Sequence, residues 1–130
     1  MAPYDAGLAA VSETLWRERE LLELLTFKLD VERVLAESGS SRWLDHSARE
    51  VDLLLEEVRR TELFRAAQVD DIAGALGLAP GTTLRAMAAA AGDTWAMVLE
   101  DHRRELTTAT AAVSAAASRT RYDDLLEDVR

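Results

Sequence analysis

Apolar residues recur at seven-residue spacing along two long stretches of the chain, Leu8 to Glu37 and Trp43 to Leu76. The first repeat consists of Leu8, Leu15, Leu22 and Leu29, joined by Val11 and Leu25. The second has two rows: Leu44, Val51, Val58, Arg65 and Ile72, and Ala48, Leu55, Glu62, Val69 and Leu76. A seven-residue apolar repeat holds one face of a helix against a partner helix. We therefore predict two long antiparallel helices that form a hairpin.

Short turn segments separate the predicted helices. Segment 38–41 has the length of a helix-hairpin loop, and Gly39 suits the left-handed residue that follows a helix. A second break at 77–81 precedes a short third helix predicted over 82–91, and Gly92 precedes a long C-terminal helix. No segment shows the period-two alternation of a strand. The predicted fold is all-α: an elongated antiparallel helical hairpin or bundle of two long helices, with a short third and a long C-terminal helix.

The length of 130 residues predicts one helical domain over 1–130, with residues 1–7 as a flexible N-terminus. A compact chain of this size can bury roughly two-thirds of its unfolded surface, so it needs no covalent cross-links. Cysteine is absent, which excludes disulfides, thiolate metal sites and a cysteine nucleophile. We expect a protein that folds through its apolar core in a reducing compartment.

The net charge of −9 narrows the range of partners. A negative field repels phosphate backbones and anionic lipid, so we expect neither nucleic acid nor membrane as a partner. No apolar run approaches the ~20 residues of a membrane span, and the N-terminus lacks the basic-then-apolar order of a signal peptide. The sequence therefore predicts a cytoplasmic protein.

The last residues of the chain, 118–130, carry one apolar stripe on a charged background. The stripe occupies positions i, i+3, i+4 and i+7 and consists of Tyr122, Leu125, Leu126 and Val129. A helix of this kind can dock in the groove of a partner protein. It can also pack on the chain's own bundle, or the segment can be disordered. We treat it as a mobile tail that binds a partner.

Residues suited to catalysis are few. The two histidines, His46 and His102, fall on different predicted helices, and motifs for a zinc protease, a serine nucleophile or a phosphate loop are absent. Paired acids occur, but di-metal centres in helical bundles use Glu-x-x-His, which this chain lacks. We predict no catalytic residue, no metal, no cofactor and no enzymatic activity.

Glu62 and Arg65 occupy seam positions that usually hold apolar side chains. Three residues apart on one helix, they can pair with each other, and we predict a structural ion pair that fixes the register of the hairpin. Contact with a partner protein is an alternative role. The seam acids Glu18 and Glu32 on the first helix could also meet Arg65 across the hairpin.

Two other functions are compatible with the pattern. The segment from Asp71 to Arg85 has the small alanine, the glycine and the turn of a helix-turn-helix, as in a DNA-binding regulator. Its second helix, however, offers Arg85 followed by methionine and alanines, and the field is negative. A generic coiled-coil scaffold or adaptor could instead dimerise through the heptad seam. We expect a monomer or weak dimer.

The order of motifs resembles the FlgN family of flagellar export chaperones. From Leu15 to Leu29 the chain has Leu-Trp-x-Glu-x-Glu-Leu-Leu-x-x-Leu-x-x-Lys-Leu. A Ser/Gly break follows, and then Arg49-Glu50 and Glu62-x-x-Arg65. Leu76-Gly77-Leu78, Thr83-Leu84 and Trp95 complete the resemblance, which spans roughly residues 8 to 116.

The resemblance implies an all-helical cytoplasmic chaperone without catalysis. Its clients would be the hook-filament junction subunits of the FlgK and FlgL class, whose terminal helices it covers against premature assembly and delivers to the export apparatus. Components of that apparatus are further expected partners. Client binding in the family maps to the chain from Asp93 onward. The implied client-binding residues are Leu106, Val113, Tyr122, Leu125, Leu126 and Val129.

Overall fold

The computed structural model describes residues 2–119, and helices make up most of them. The helices are α1 (Asp5–Glu37), α2 (Ser41–Ala73), α3 (Leu84–Ala91) and α4 (Asp93–Ala117), and a 3-10 turn (Gly74–Leu76) follows α2. No strand occurs in residues 2–119. The predicted all-α class, with two long helices, a short third and a long C-terminal helix, is confirmed.

Glycines and one threonine set the helix ends. Gly39, Gly77 and Gly92 have φ angles of 74°, 73° and 63°, the left-handed region that glycine enters without a Cβ clash. The third helix begins at Leu84, two residues later than predicted. The reason is local: Thr83 has extended backbone, and its side-chain oxygen accepts a hydrogen bond from the Ala86 N–H at 3.1 Å.

The chain forms two compact units. The first contains the residues up to Glu18 together with Arg60–Thr107, and the second contains Arg19–Arg59 together with the residues from Thr108 onward. Helices α1, α2 and α4 therefore contribute to both units, while α3 belongs to the first. That residues 1–130 act as one domain stays a prediction.

In the first unit, contacts between α1 and α2 show the antiparallel pairing that the heptads predicted. The Thr14 hydroxyl donates to Gln68 Oε1 at 2.6 Å, and Arg65 bonds to Glu18. Residue numbers thus rise on one helix as they fall on the other. The core that these helices share with α3 and α4 consists of Leu8, Val11, Leu15, Val69, Met87, Ala88 and Leu99.

Gly7 marks a close approach of these two helices. A Cβ atom placed on Gly7 would overlap Ile72 Cγ2, because the two atoms would be much closer than their van der Waals contact distance. Ile72 is a seam residue of the second heptad row, so the glycine allows α1 to approach that seam closely. The start of α1 is also tied to α4, since the Trp95 indole N–H donates to Asp5 Oδ1 at 3.1 Å.

The second unit buries the middle of the predicted seams. Its buried apolar side chains come from α1, α2 and the end of α4: Leu21, Leu22, Leu25, Leu29, Ala48, Val51, Leu55, Val58, Val113, Ala116 and Ala117. Most heptad positions of both stretches in this unit are among them. The prediction that the heptad rows face the interior is therefore confirmed here.

Candidate functional site

Two of the six residues implied for client binding lie in the described part of the chain, one in each unit. Leu106 is half-buried and packs on the core cluster of the first unit. Val113 is 4% exposed and belongs to the interior of the second unit. Outside the described residues lie the other four, Tyr122, Leu125, Leu126 and Val129. The role of the six residues in client binding stays a prediction.

The part of α4 that leads to residues 118–130 has an exposed face of small side chains. Val113, Ala116 and Ala117 face the interior of the second unit. The exposed positions that share the opposite side of this segment are Thr108, Ala111, Ala112 and Ala115. Small side chains let a second helix approach the backbone closely, so this face can accommodate a partner helix without rearrangement.

Arg65 forms a two-bond ion pair with Glu18 in the first unit. The guanidinium Nε donates to Glu18 Oε1, and Nη2 donates to Oε2 at 3.3 Å. The Glu18 residue is 4% exposed, while the Arg65 side chain is 24% exposed. Both carboxylate oxygens therefore receive a donor from the planar guanidinium fork, the arrangement in which a buried carboxylate is best tolerated.

Of the two α1 acids that could meet Arg65 across the hairpin, Glu18 does so. Glu32, the other one, is 3% exposed and belongs to the second unit. Glu62 lies one turn before Arg65 on α2 and is half-buried. The predicted structural pair of Glu62 with Arg65 stays a prediction, whereas the pairing of Arg65 across the helices is a feature of the structure.

His102 lies in the interior of the first unit rather than in an open site. The residue is 1% exposed, its Nε2 lies 2.9 Å from the Ser12 hydroxyl, and its ring forms a T-shaped pair with that of Trp16 at a centroid distance of 5.1 Å. His46 lies on the surface of the second unit, 3.7 Å from a Glu50 oxygen. His102 is thus a core residue of its unit and His46 a surface residue of the other.

A small open cavity lies beside the Arg65 pair in the first unit. Its volume is about 160 Å³, and its wall includes Arg65, Val69, Asp70 and Thr82. One rim is fixed by Asp70, whose Oδ1 accepts the Gly81 N–H at 2.8 Å. The volume suits a few water molecules rather than a drug-sized ligand, since such ligands occupy about 300 Å³ or more.

Helix α1 has a second apolar stripe. From the sequence we followed the leucine repeat and did not identify this stripe. We call it the outer stripe: Leu24, Phe27, Val31 and Val34. Leu24, Phe27 and Val34 are 44%, 51% and 54% exposed, and Val31 is half-buried. Phe27 lies two residues from both buried Leu25 and buried Leu29 and hence, at about 100° per residue, on the opposite side of the helix. The 3,4,3 spacing was visible in the sequence but lay beside the stronger leucine repeat.

Lys28 and Glu50 connect α1 and α2 in the second unit. The Lys28 Nζ donates to Glu50 Oε2 at 2.7 Å. This hydrogen bond is the main cause that holds the pKa of the Glu50 carboxyl below its usual value, and the positive charges of Lys28 and His46 act in the same direction. The pair is partly exposed, so it fixes the local register more than it stabilises the fold.

Two findings concern metals and membranes. Among residues 2–119, no cluster of three or more His, Cys, Asp or Glu side chains could hold a metal ion. None of the helices in that range combines the length and the apolar character that crossing a bilayer requires.

Comparison with known proteins identifies the family. A family model described as FlgN protein matches residues 1–122, which is nearly the whole chain. No curated protein and no solved structure matches the chain significantly. The family is one of chaperones rather than enzymes, in agreement with the all-helical fold. The chain therefore belongs to the FlgN family of flagellar export chaperones.

Proposed function

We propose that this chaperone binds the terminal helices of hook-filament junction subunits of the FlgK and FlgL class in the cytoplasm. It keeps them from assembling early and delivers them to the export apparatus. The observation that carries the proposal is the family match over residues 1–122, which includes α4 and the start of the C-terminal segment.

The physical basis of the proposal is that one helix can cover the apolar stripe of another. Terminal helices that pair only after assembly expose an apolar stripe beforehand, and a helical partner can cover it. The exposed small-residue face of α4 in the second unit, from Thr108 to Ala115, supports this role because it lets a client helix approach closely. We assign the main apolar contacts with the client helix to four residues that follow that face in the sequence: Tyr122, Leu125, Leu126 and Val129.

Burial supports different roles for the two described residues of the implied set. Val113, at 4% exposure, would support the client surface from beneath. Leu106 is half-buried on the core cluster of the first unit and would likewise support α4 there rather than contact the client. The direct contacts would then fall on the C-terminal stripe. The negative charge of −9 keeps such a complex in solution.

The test is co-purification of the full-length chain with C-terminal helical segments of junction subunits from the same genome. We expect one client per chaperone, and we expect the Leu125→Ala/Leu126→Ala variant to lose the client while keeping its helical circular dichroism. The matched control is Glu127→Gln/Asp128→Asn, which changes two neighbouring positions without removing apolar surface. A chain that ends at Ala117 should also lose the client.

Two results would contradict the proposal. Capture of the client by the Leu125→Ala/Leu126→Ala variant at full strength would remove the C-terminal stripe from the interface. Failure of the full-length chain to capture any junction subunit would remove the client class itself.

A further inference from the structure

The outer stripe of α1 is an apolar surface that the proposed client surface does not use. It lies in the second unit on the side of α1 opposite the buried Leu25 and Leu29. Its 3,4,3 spacing is that of the a and d positions of a coiled-coil seam over two heptads. A seam of this kind on a folded helix is fitted to one more helix laid along it.

The charges beside the outer stripe are acidic. Glu20 and Glu23 lie on the same side of α1, about one turn or less before Leu24, and both are exposed. Within residues 2–119 neither has an ionic partner. Cations near the stripe are already engaged, because Lys28 pairs with Glu50 at 2.7 Å and Arg33 with Glu37 at 3.4 Å. Arg17 and Arg19, about one turn before these two acids, also have interactions of their own. A partner laid on the stripe therefore meets uncompensated carboxylates.

We propose that the outer stripe is a second docking surface, and that its partner is a basic amphipathic helix of another protein. The partner's apolar residues would cover Leu24, Phe27, Val31 and Val34, and its lysines or arginines would pair with Glu20 and Glu23. Charge complementarity of this kind sets the choice of partner more than the affinity. The proposal does not depend on which client binds the C-terminal residues.

Two other occupants are disfavoured by charge. A second copy of the chain would bring a net charge of −9 and the same acidic flanks against Glu20 and Glu23. The chain's own C-terminal segment has an apolar stripe, but its four acids, Asp123, Asp124, Glu127 and Asp128, outnumber its three arginines. Neither occupant brings a net positive charge to the acidic flank of the stripe, whereas a basic helix does.

The experiment measures binding of a labelled three-heptad peptide to the full-length protein by fluorescence anisotropy. The probe has leucine at its a and d positions and lysine at e and g, and a matched peptide has glutamate at e and g. We expect the lysine peptide to bind, with an affinity that falls as salt rises, and the glutamate peptide to bind at least about tenfold more weakly.

Variants of the chain test whether the lysine peptide binds at the outer stripe. Leu24→Ala/Phe27→Ala should weaken binding of the lysine peptide at least about tenfold, because a few large apolar side chains contribute most of the binding free energy of such an interface. Glu20→Gln/Glu23→Gln should weaken it and reduce its salt dependence, and this pair removes no apolar surface. The control is Leu53→Ala, which truncates a side chain of the same unit that is 64% exposed on α2, and it should leave binding unchanged.

Four outcomes would overturn the proposal. Equal binding of the lysine and glutamate peptides would show that the surface does not select its partner by charge. Binding of the lysine peptide at native strength by both outer-stripe variants would show that the peptide binds at another site. Much tighter binding by full-length Leu125→Ala/Leu126→Ala would show that the chain's own C-terminal residues cover the surface. A concentration-dependent dimer that Leu24→Ala/Phe27→Ala abolishes would make a second copy the occupant.

Discussion

Arg65 of α2 donates two hydrogen bonds to Glu18 of α1, in the first unit, at a seam position that the heptad pattern reserves for apolar side chains. Glu18 is nearly inaccessible to water, so its charge depends on the guanidinium for compensation. Removal of one partner leaves a buried charge, whereas removal of both leaves a seam that apolar groups can fill.

We expect Arg65→Met to lower the free energy of unfolding by about 2–4 kcal/mol, because the Glu18 carboxylate then lacks its donors. Urea unfolding followed by circular dichroism measures this loss. The double variant Glu18→Met/Arg65→Met should recover to within about 1 kcal/mol of the native chain or exceed it. A double variant as unstable as Arg65→Met would show that the loss comes from packing rather than from the unpaired carboxylate.

The contact of Gly7 with Ile72 gives a prediction about backbone approach. Gly7→Ala places a methyl group in steric overlap with Ile72 Cγ2, so the two helices must separate or Ile72 must leave its rotamer. We expect a net loss of about 1–2 kcal/mol, since overpacking outweighs the better helix propensity of alanine. The melting temperature reports this change.

Gly74 is the matched control for Gly7. A methyl group added at Gly74 would have no atom within 4 Å, and Gly74 is not among the glycines with positive φ. Gly74→Ala should therefore raise the free energy of unfolding by about 0.5 kcal/mol, because alanine restricts the unfolded chain. A loss in both variants would mean that the Ile72 contact is not the cause.

Val113 and Ala111 separate support from contact at the end of α4. Val113 is buried, so Val113→Ala should lower stability by about 1–2 kcal/mol and weaken client binding only as far as the fold is weakened. Ala111 is exposed on the small-residue face, so Ala111→Arg should leave stability within about 0.5 kcal/mol and block a client helix. Thermal unfolding and client co-purification of the same two variants measure both quantities. Client binding by Ala111→Arg at native strength would exclude that face from the interface.

The hydrogen bond from Lys28 gives a prediction about the pKa of Glu50. Because the pKa of Glu50 is lowered in the folded state, the stabilising effect of the pair is present above the usual carboxyl pKa, near 4.5, and is lost as the pH falls through the lowered value. Lys28→Met should return the pKa of Glu50 toward 4.5, as measured by carboxyl chemical shifts in an NMR titration. His46→Gln should have a smaller effect, since the charge of His46 contributes least to the lowered pKa. An unchanged pKa in Lys28→Met would mean that the hydrogen bond does not form in solution.

The order of the residues alone predicts where the helices lie and which residues of each long helix share the leucine-rich face. Seven-residue spacing identified Leu8, Leu15, Leu22 and Leu29 as interior positions, and all four are buried. Glycines at 39, 77 and 92 marked the helix ends, because the left-handed conformation favours glycine. Helix periodicity and turn chemistry are local properties, so they can be read from the order of the residues alone.

Tertiary structure alone decided which polar seam residues meet and which apolar residues stay outside. The heptads allowed Arg65 to pair with Glu18, Glu32 or Glu62, and its bond to Glu18 depends on the register of two helices far apart in sequence. The exposure of Leu24, Phe27 and Val34 likewise depends on which face of α1 the other helices cover. A repeat shows that a face is apolar, but only the packing of neighbouring helices determines whether that face is buried.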